Sequence, residues 1–250
     1  MKNLKKVVTV ALSALLMGCS MNTPINEEKL CGATWKAWVW DNIYDMYVAF
    51  NNDHTYKMVI GSHGEYSNLT GWRHPHYYYE GTWSTDEDDI FLMCGDTIAH
   101  TLYDVDIKKK EMTFDFYDGY KKDGNERCSA NKANVLKQSA ITGTWSFTER
   151  NVLGFTYDMI ITFRQDYYAR MTYGSIYEGE IEDHKNMPYT IVGPYIIFKG
   201  ITPLNYMKYQ SISNGKMKFI SGNYRKELKE FYFVPQDPTA HELRLDGFIF

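Results

Sequence analysis

Apolar and polar residues alternate over most of the chain, and the alternation comes in two matching sets. Tyr44, Met46, Val48 and Phe50 fall on one side of a predicted strand and Asp45, Tyr47 and Ala49 on the other, the period of a strand with one buried face. The turn cluster Asn51-Asn52-Asp53-His54 follows, and Tyr56, Met58 and Ile60 resume the apolar face up to Gly61-Ser62. Phe50, Asp53, Met58, Gly61 and Ser62 recur as Phe163, Asp166, Met171, Gly174 and Ser175, each 113 positions on. Ile107, Met112 and Phe114 recur 105 positions on as Ile212, Met217 and Phe219. Constant offsets over scattered positions mark a duplicated unit. The smaller second offset means shorter connections in the second copy.

The first unit reads as eight strands: Trp35 to Trp40, Tyr44 to Phe50, a stretch from Tyr56, His76 to Trp83, Ile90 to Cys94, Thr101 to Ile107, Glu111 to Tyr117, and a short strand around Val135-Leu136. The second restarts at Ile141-Thr142-Gly143-Thr144-Trp145. It continues through Tyr157 to Phe163, Ala169 to Tyr173, Met187 to Val192, Tyr195 to Lys199, a hairpin across Asn214-Gly215, and Phe231 to Val234. Asn-Gly favours a tight hairpin because both residues tolerate positive φ. No helix is predicted. Sequential strands joined mostly by short turns predict an all-β protein of two tandem antiparallel up-and-down barrels, which leave no exposed sheet edge. The predicted divisions are a leader over 1–18, a tether over 19–29, barrels over 30–138 and 139–235, and a tail over 236–250. Alternating strand direction gathers the turns at Asn51-Asp53, Asp86-Asp89 and Lys108-Lys110 at one end. The longer connections, Gly61-Pro75 and Asp118-Ser129, gather at the other, as in a cup with a closed base and a looped mouth. Trp35, Phe50, Met58, Trp83, Trp145, Phe163 and Met171 are the expected core.

Composition narrows the class. Aromatic residues make up 16% of the chain, with 21 tyrosines, which suits half-buried sheet. Lys2, Lys5 and Lys6 precede an apolar run from Val7 to Met17, the layout of a secretory leader. Without that leader 24 basic residues face 31 acidic ones, a net charge of −7. With no basic stripe, a nucleic-acid partner is excluded.

Leu16-Met17-Gly18-Cys19 resembles a bacterial lipobox, with Met17 less usual at its place. The resemblance implies that Cys19 is lipidated and becomes the mature N-terminus, with the protein held in the cell envelope on the outer membrane, facing the periplasm or the surface. A plain secretory leader with a chance cysteine is the alternative. Gly143-Thr144-Trp145, looser in the first unit, with strands ending Phe-x-x-Asp, resembles the lipocalin-like domains of Bacteroidetes lipoproteins over roughly residues 30 to 235. That resemblance implies calycin-type barrels, a shape that generally binds small hydrophobic molecules.

Candidate chemistry is sparse. The strand order puts Cys94 and Cys128 at the mouth end and Cys31 at the base. A Cys94–Cys128 disulfide is therefore expected, against the alternative of three buried thiols. His74, Pro75 and His76, with His63, form the most metal-like cluster, but the second unit offers only His184 at the matching place, so no metal is expected. His241-Glu242 has Leu245 where a zinc-protease helix needs its second histidine. Glu178, Glu180, Glu182 and Asp183 read as a solvated loop. There is no nucleophile elbow, phosphate loop or dinucleotide fingerprint, so a non-enzymatic protein without cofactor is expected. Trp72, Arg73, His74 and Tyr78 are the ligand-binding candidates, since Trp72 and Arg73 stand in a polar loop and Tyr78 faces away from its neighbours. The expected function is capture of a small apolar or amphipathic ligand at a barrel mouth. The alternatives are a surface module that meets a glycan or an envelope protein through exposed aromatics, and a structural component with filled barrels.

Overall fold

A computed structural model describes residues 24–40, 44–62, 77–117, 126–150, 156–175, 181–199, 206–213, 216–222 and 228–236. The first eight strands are β1 (Thr34–Val39), β2 (Tyr44–Phe50), β3 (Thr55–Ser62), β4 (Tyr77–Asp86), β5 (Asp89–Cys94), β6 (Thr97–Ile107), β7 (Glu111–Tyr117) and β8 (Glu126–Lys132). Each pairs with the next, antiparallel, and β8 returns to β1, so the sheet closes into a barrel. A second antiparallel sheet curls through β9 (Gly143–Arg150), β10 (Thr156–Phe163), β11 (Tyr168–Ser175), β12 (Ile181–Val192), β13 (Tyr195–Phe198), β14 (Tyr206–Ser213), β15 (Lys216–Gly222) and β16 (Leu228–Gln236). It closes where β16 meets β9, from Val234 opposite Ser146 to Gln236 opposite Thr144.

Two single-turn helices were not foreseen, α1 (Glu27–Leu30) and α2 (Gln138–Ile141), and each enters a barrel just ahead of its first strand. Leu30 and Ile141, their last residues, are fully buried. The indole N–H of Trp35 donates to the Leu30 carbonyl at 2.9 Å, and that of Trp145 donates to the Ile141 carbonyl at 2.8 Å. The Gly-x-Trp opening thus has a physical task. The tryptophan plugs the barrel end and satisfies a carbonyl that the short helix leaves without an intrahelical partner.

The duplication extends to the turn after the second strand. Asp53 accepts from the Thr55 backbone N–H at 3.0 Å, and Asp166 from the Tyr168 N–H at 3.2 Å. His54 and Tyr167 take positive φ of 59° and 61° at the same turn position. Trp83 donates its indole N–H to the Asn51 carbonyl at 3.3 Å, and the Tyr189 hydroxyl donates to the Arg164 carbonyl at 3.0 Å. Equivalent carbonyls are closed by different aromatic side chains, so this correspondence is geometric and invisible to residue matching.

Inward positions make one contiguous apolar cluster in each barrel. All seven expected core residues belong to these clusters and are buried. Trp35, Phe50, Tyr56, Met58 and Phe114 occupy the interior of the first barrel, with His100 buried between Tyr79 and Phe116 further along. An eight-stranded barrel is just wide enough to be filled by side chains, and these inward positions carry large aromatics.

Some boundaries move. The eighth strand of the first barrel is Glu126–Lys132, not Val135-Leu136. Its inward residues, Cys128 and Ala130, are small, so its alternation carries little hydrophobic signal. Leu136 is instead a buried member of the second barrel's core, and its N–H donates to the Gly193 carbonyl at 2.9 Å. The β6 strand starts at Thr97 rather than Thr101, and a bulge between Tyr103 and Asp106 turns Val105 inward beside Leu102. Asp104, at positive φ, sits in that bulge.

Trp35→Phe keeps most of the apolar bulk but leaves the Leu30 carbonyl buried without its donor. It is expected to lower stability by about 1–3 kcal/mol in urea unfolding, whereas Trp38→Phe on the outer face is expected to change it by less than about 0.5 kcal/mol.

Candidate functional site

The outer faces of β2, β3 and β4 meet those of β12, β13 and β14. Tyr47 and Val59 of the first barrel pack with Val192, Tyr195 and Ile197 of the second, and Tyr78 and Tyr206 lie against them. Tyr47 and Tyr195 meet edge-on at 5.7 Å between ring centroids. Asp45, only 2% exposed, receives Lys36 at 3.2 Å from its own barrel and Lys208 at 3.3 Å from the other. Glu80 receives the Lys199 ammonium on both oxygens, at 2.8 and 2.6 Å, and the Tyr78 hydroxyl at 2.7 Å. Burial works to raise the Glu80 carboxyl, but the bonds from Lys199 and Tyr78 outweigh it and hold the group below the usual carboxylate range. Gly193 completes the fit. Its φ is +56°, and a Cβ there would stand 2.4 Å from the Tyr47 ring.

Beside this joint lies a groove of about 450 Å³. One wall is Lys57 of β3; the linker residues Val135 and Leu136 and Gln138 of α2 also line it. Asp166, Tyr167 and Tyr168 enter from the β10–β11 turn, and Pro188, Tyr189, Thr190 and Ile191 of β12 lie with Lys199 on the second barrel's side. The volume falls in the range of small-ligand sites, roughly 300–1,000 Å³. Val135, Tyr167 and Tyr168 are 45%, 49% and 39% exposed. They are three of the eight large apolar side chains that the described residues leave exposed, so the groove has an apolar rim.

The polar groups around the groove are mostly committed to one another. Arg164 clamps Asp166 with two bonds of 3.1 and 2.7 Å, and this pairing holds the Asp166 carboxyl below its ordinary range. The Gln138 amide donates to the Arg164 and Gln165 carbonyls at 3.1 and 2.8 Å, which fixes the turn that presents the tyrosines. Tyr167 leans on Tyr189, 5.7 Å between centroids, and the Arg164 guanidinium lies 5.4 Å from the Tyr168 ring centroid. Lys57 donates to the Thr190 hydroxyl at 2.8 Å, across the joint.

The expected site residues fare unevenly. Cys19, Trp72, Arg73 and His74 lie outside the described residues, as do His63, His76, Glu178 and Glu180. Tyr78 does face away from Tyr77 and Tyr79, but not into solvent: it is half-buried at the joint, and its hydroxyl is bonded to Glu80. It therefore contributes to the contact between the barrels. Glu182 bonds His184 at 2.9 Å, and Asp183 takes two bonds of 2.9 Å from Arg170, so both carboxylates are paired. Among the described residues no cluster of three or more His, Cys, Asp or Glu is placed to hold a metal.

The expected Cys94–Cys128 disulfide is not formed, and Cys31, Cys94 and Cys128 are free thiols. The two cysteines do lie towards the same end, but β6 and β7 separate their strands. Each step across the sheet is about 4.8 Å, which puts the pair beyond the reach of an S–S bond. Cys94 instead meets the Tyr56 hydroxyl at 3.4 Å. Burial, with Glu126 and Asp115 nearby, pushes the Cys128 thiol up to about 12, which leaves it unreactive.

Tyr167 and Tyr168 were missed by sequence reading. Their signal is an aromatic pair directly after the turn aspartate, where the first copy has His54-Thr55. No protein-family model matches the chain, and no curated protein matches it.

Gly193→Ala must move the Tyr47 ring and strain a left-handed backbone. A loss of about 1–3 kcal/mol is expected in urea unfolding, with faster proteolytic cleavage in the linker at 133–137 because the joint opens.

Proposed function

We propose that the chain is a lipid-anchored, non-enzymatic binding protein of the cell envelope, built from two lipocalin-like barrels, that takes a small amphipathic ligand in the groove beside their joint. One observation carries this reading: exposed apolar side chains stand around a cleft of ligand size, while the described inward positions of both barrels carry large apolar side chains of their own. This reading places the ligand outside the barrels, in contrast to the barrel mouth expected from the sequence. Tyr167 and Tyr168 offer flat faces, Val135, Leu136 and Ile191 an apolar floor, and Lys57 and Thr190 a polar end, which is the mix such sites use. The two neighbouring exposed tyrosines also favour a second reading, in which their rings stack on a sugar.

Native mass spectrometry of the protein released from envelopes is expected to show a bound adduct that the double variant Tyr167→Ala/Tyr168→Ala loses. An adduct that survives this change and disappears in Trp72→Ala would return the site to the barrel mouth. A carbohydrate mass for the adduct would select the second reading.

The anchor has its own test. Cys19→Ala is expected to abolish incorporation of labelled fatty acid and to shift the protein from the membrane pellet to the soluble fraction. Unchanged labelling would remove the lipid anchor from the proposal.

A further inference from the structure

The groove's charge is unevenly matched, and the mismatch bears on the ligand. The charged side chains that line it are Lys57, Lys199 and Asp166. Asp166 is neutralised by Arg164, at 2.7 Å for the shorter contact, and Lys199 by both oxygens of Glu80. Lys57 differs from both, because its close partner is the neutral Thr190 hydroxyl at 2.8 Å. The carboxylates nearest to it are otherwise engaged. Glu80 already takes Lys199 and Tyr78, and Asp53 takes the backbone N–H and hydroxyl of Thr55 at 3.0 and 2.6 Å. An ammonium has three donors, and the hydroxyl occupies one of them.

Burial disfavours the charge on Lys57, and Lys199 beside it adds like-charge repulsion; together these outweigh Glu80 and Asp53 and lower its pKa. A half-buried cation in this position gains most from an anion that arrives with the ligand, since a charge-assisted bond formed away from bulk water is stronger than a neutral one. The apolar floor and the two tyrosines stand at the same opening and suit a flat or branched hydrocarbon body.

Resting on the groove as the binding site, we infer that its ligand is an amphipathic monoanion: an apolar or aromatic body on Tyr167 and Tyr168 carrying a single carboxylate bound by Lys57. Lys57 then sets the specificity for acids over the corresponding alcohols, and the tyrosines supply affinity common to both.

Two probes separate these contributions, 2-naphthoate and 2-naphthalenemethanol, titrated by calorimetry into the full lipidated chain in nanodiscs with empty nanodiscs as blank. The native protein is expected to bind the acid about tenfold more tightly than the alcohol, and added salt should narrow that margin. Lys57→Gln should weaken the acid far more than the alcohol and so erase the margin, and Lys57→Arg should keep it. Equal binding of acid and alcohol by the native chain, or a margin that survives Lys57→Gln, overturns the inference while leaving the groove intact. Failure of both probes to bind, or binding of both that Tyr167→Ala/Tyr168→Ala leaves unchanged, overturns the groove itself.

Discussion

Each barrel depends on one buried hydrogen bond at its base. A single-turn helix has too few residues to satisfy its own last carbonyls, and those of Leu30 and Ile141 end inside a barrel where water does not compete. The indoles of Trp35 and Trp145 solve that problem while filling the floor of the barrel. One side chain therefore ends the helix, plugs the base and fixes where the first strand begins. The register of the remaining strands follows from there, because in a closed sheet no strand can slip without moving every inward residue to the outer face.

Closure also decides where function can reside. With eight strands the interior volume is small, and these sequences place Trp, Phe, Tyr and Met at the inward positions of both units. The cleft among the described residues lies outside the barrels. The joint supplies it, because two convex walls brought together by Asp45 with its lysines, and by Tyr47 against Gly193, leave a cleft beside their contact. The Lys208–Asp45 pair across the joint is largely shielded from water, so it sets the relative placement of the barrels more firmly than the exposed Lys199–Glu80 pair does.

Most of the fold was legible because it is written in a local period. Alternation located β2 and β7 to the residue, and two constant offsets gave the duplication. Where period two carried no hydrophobic contrast, reading failed. Cys128 and Ala130 are small, so β8 reads as loop in the sequence. The first half of β12 is Glu182, Asp183, His184, Lys185 and Asn186, polar on both faces, so the strand was cut short. The site failed for a different reason. Alternation correctly put Asp45 and Tyr47 on the face away from the first core, but no local pattern says whether such a face meets water or another domain. Cys94 and Cys128 show the same limit. Strand direction gave their common end, while the distance around the barrel wall depends on closure.

The repeated turn shows how one scaffold position came to serve two ends. In both copies the aspartate caps the residue two positions on, and the next residue takes positive φ. In the first copy that residue is His54, stacked on Trp83 at 4.4 Å within its own barrel. In the second copy the same backbone holds Tyr167 and Tyr168 over the linker, because Arg164 and Gln138 fix the turn from either side. The backbone solution was kept, and the side chains changed where the second barrel's base faces the first barrel. A rigid turn that needs only its aspartate for shape leaves the residues around it free to acquire binding chemistry. The base of the second barrel, rather than its open end, is therefore where the described residues bring such chemistry together.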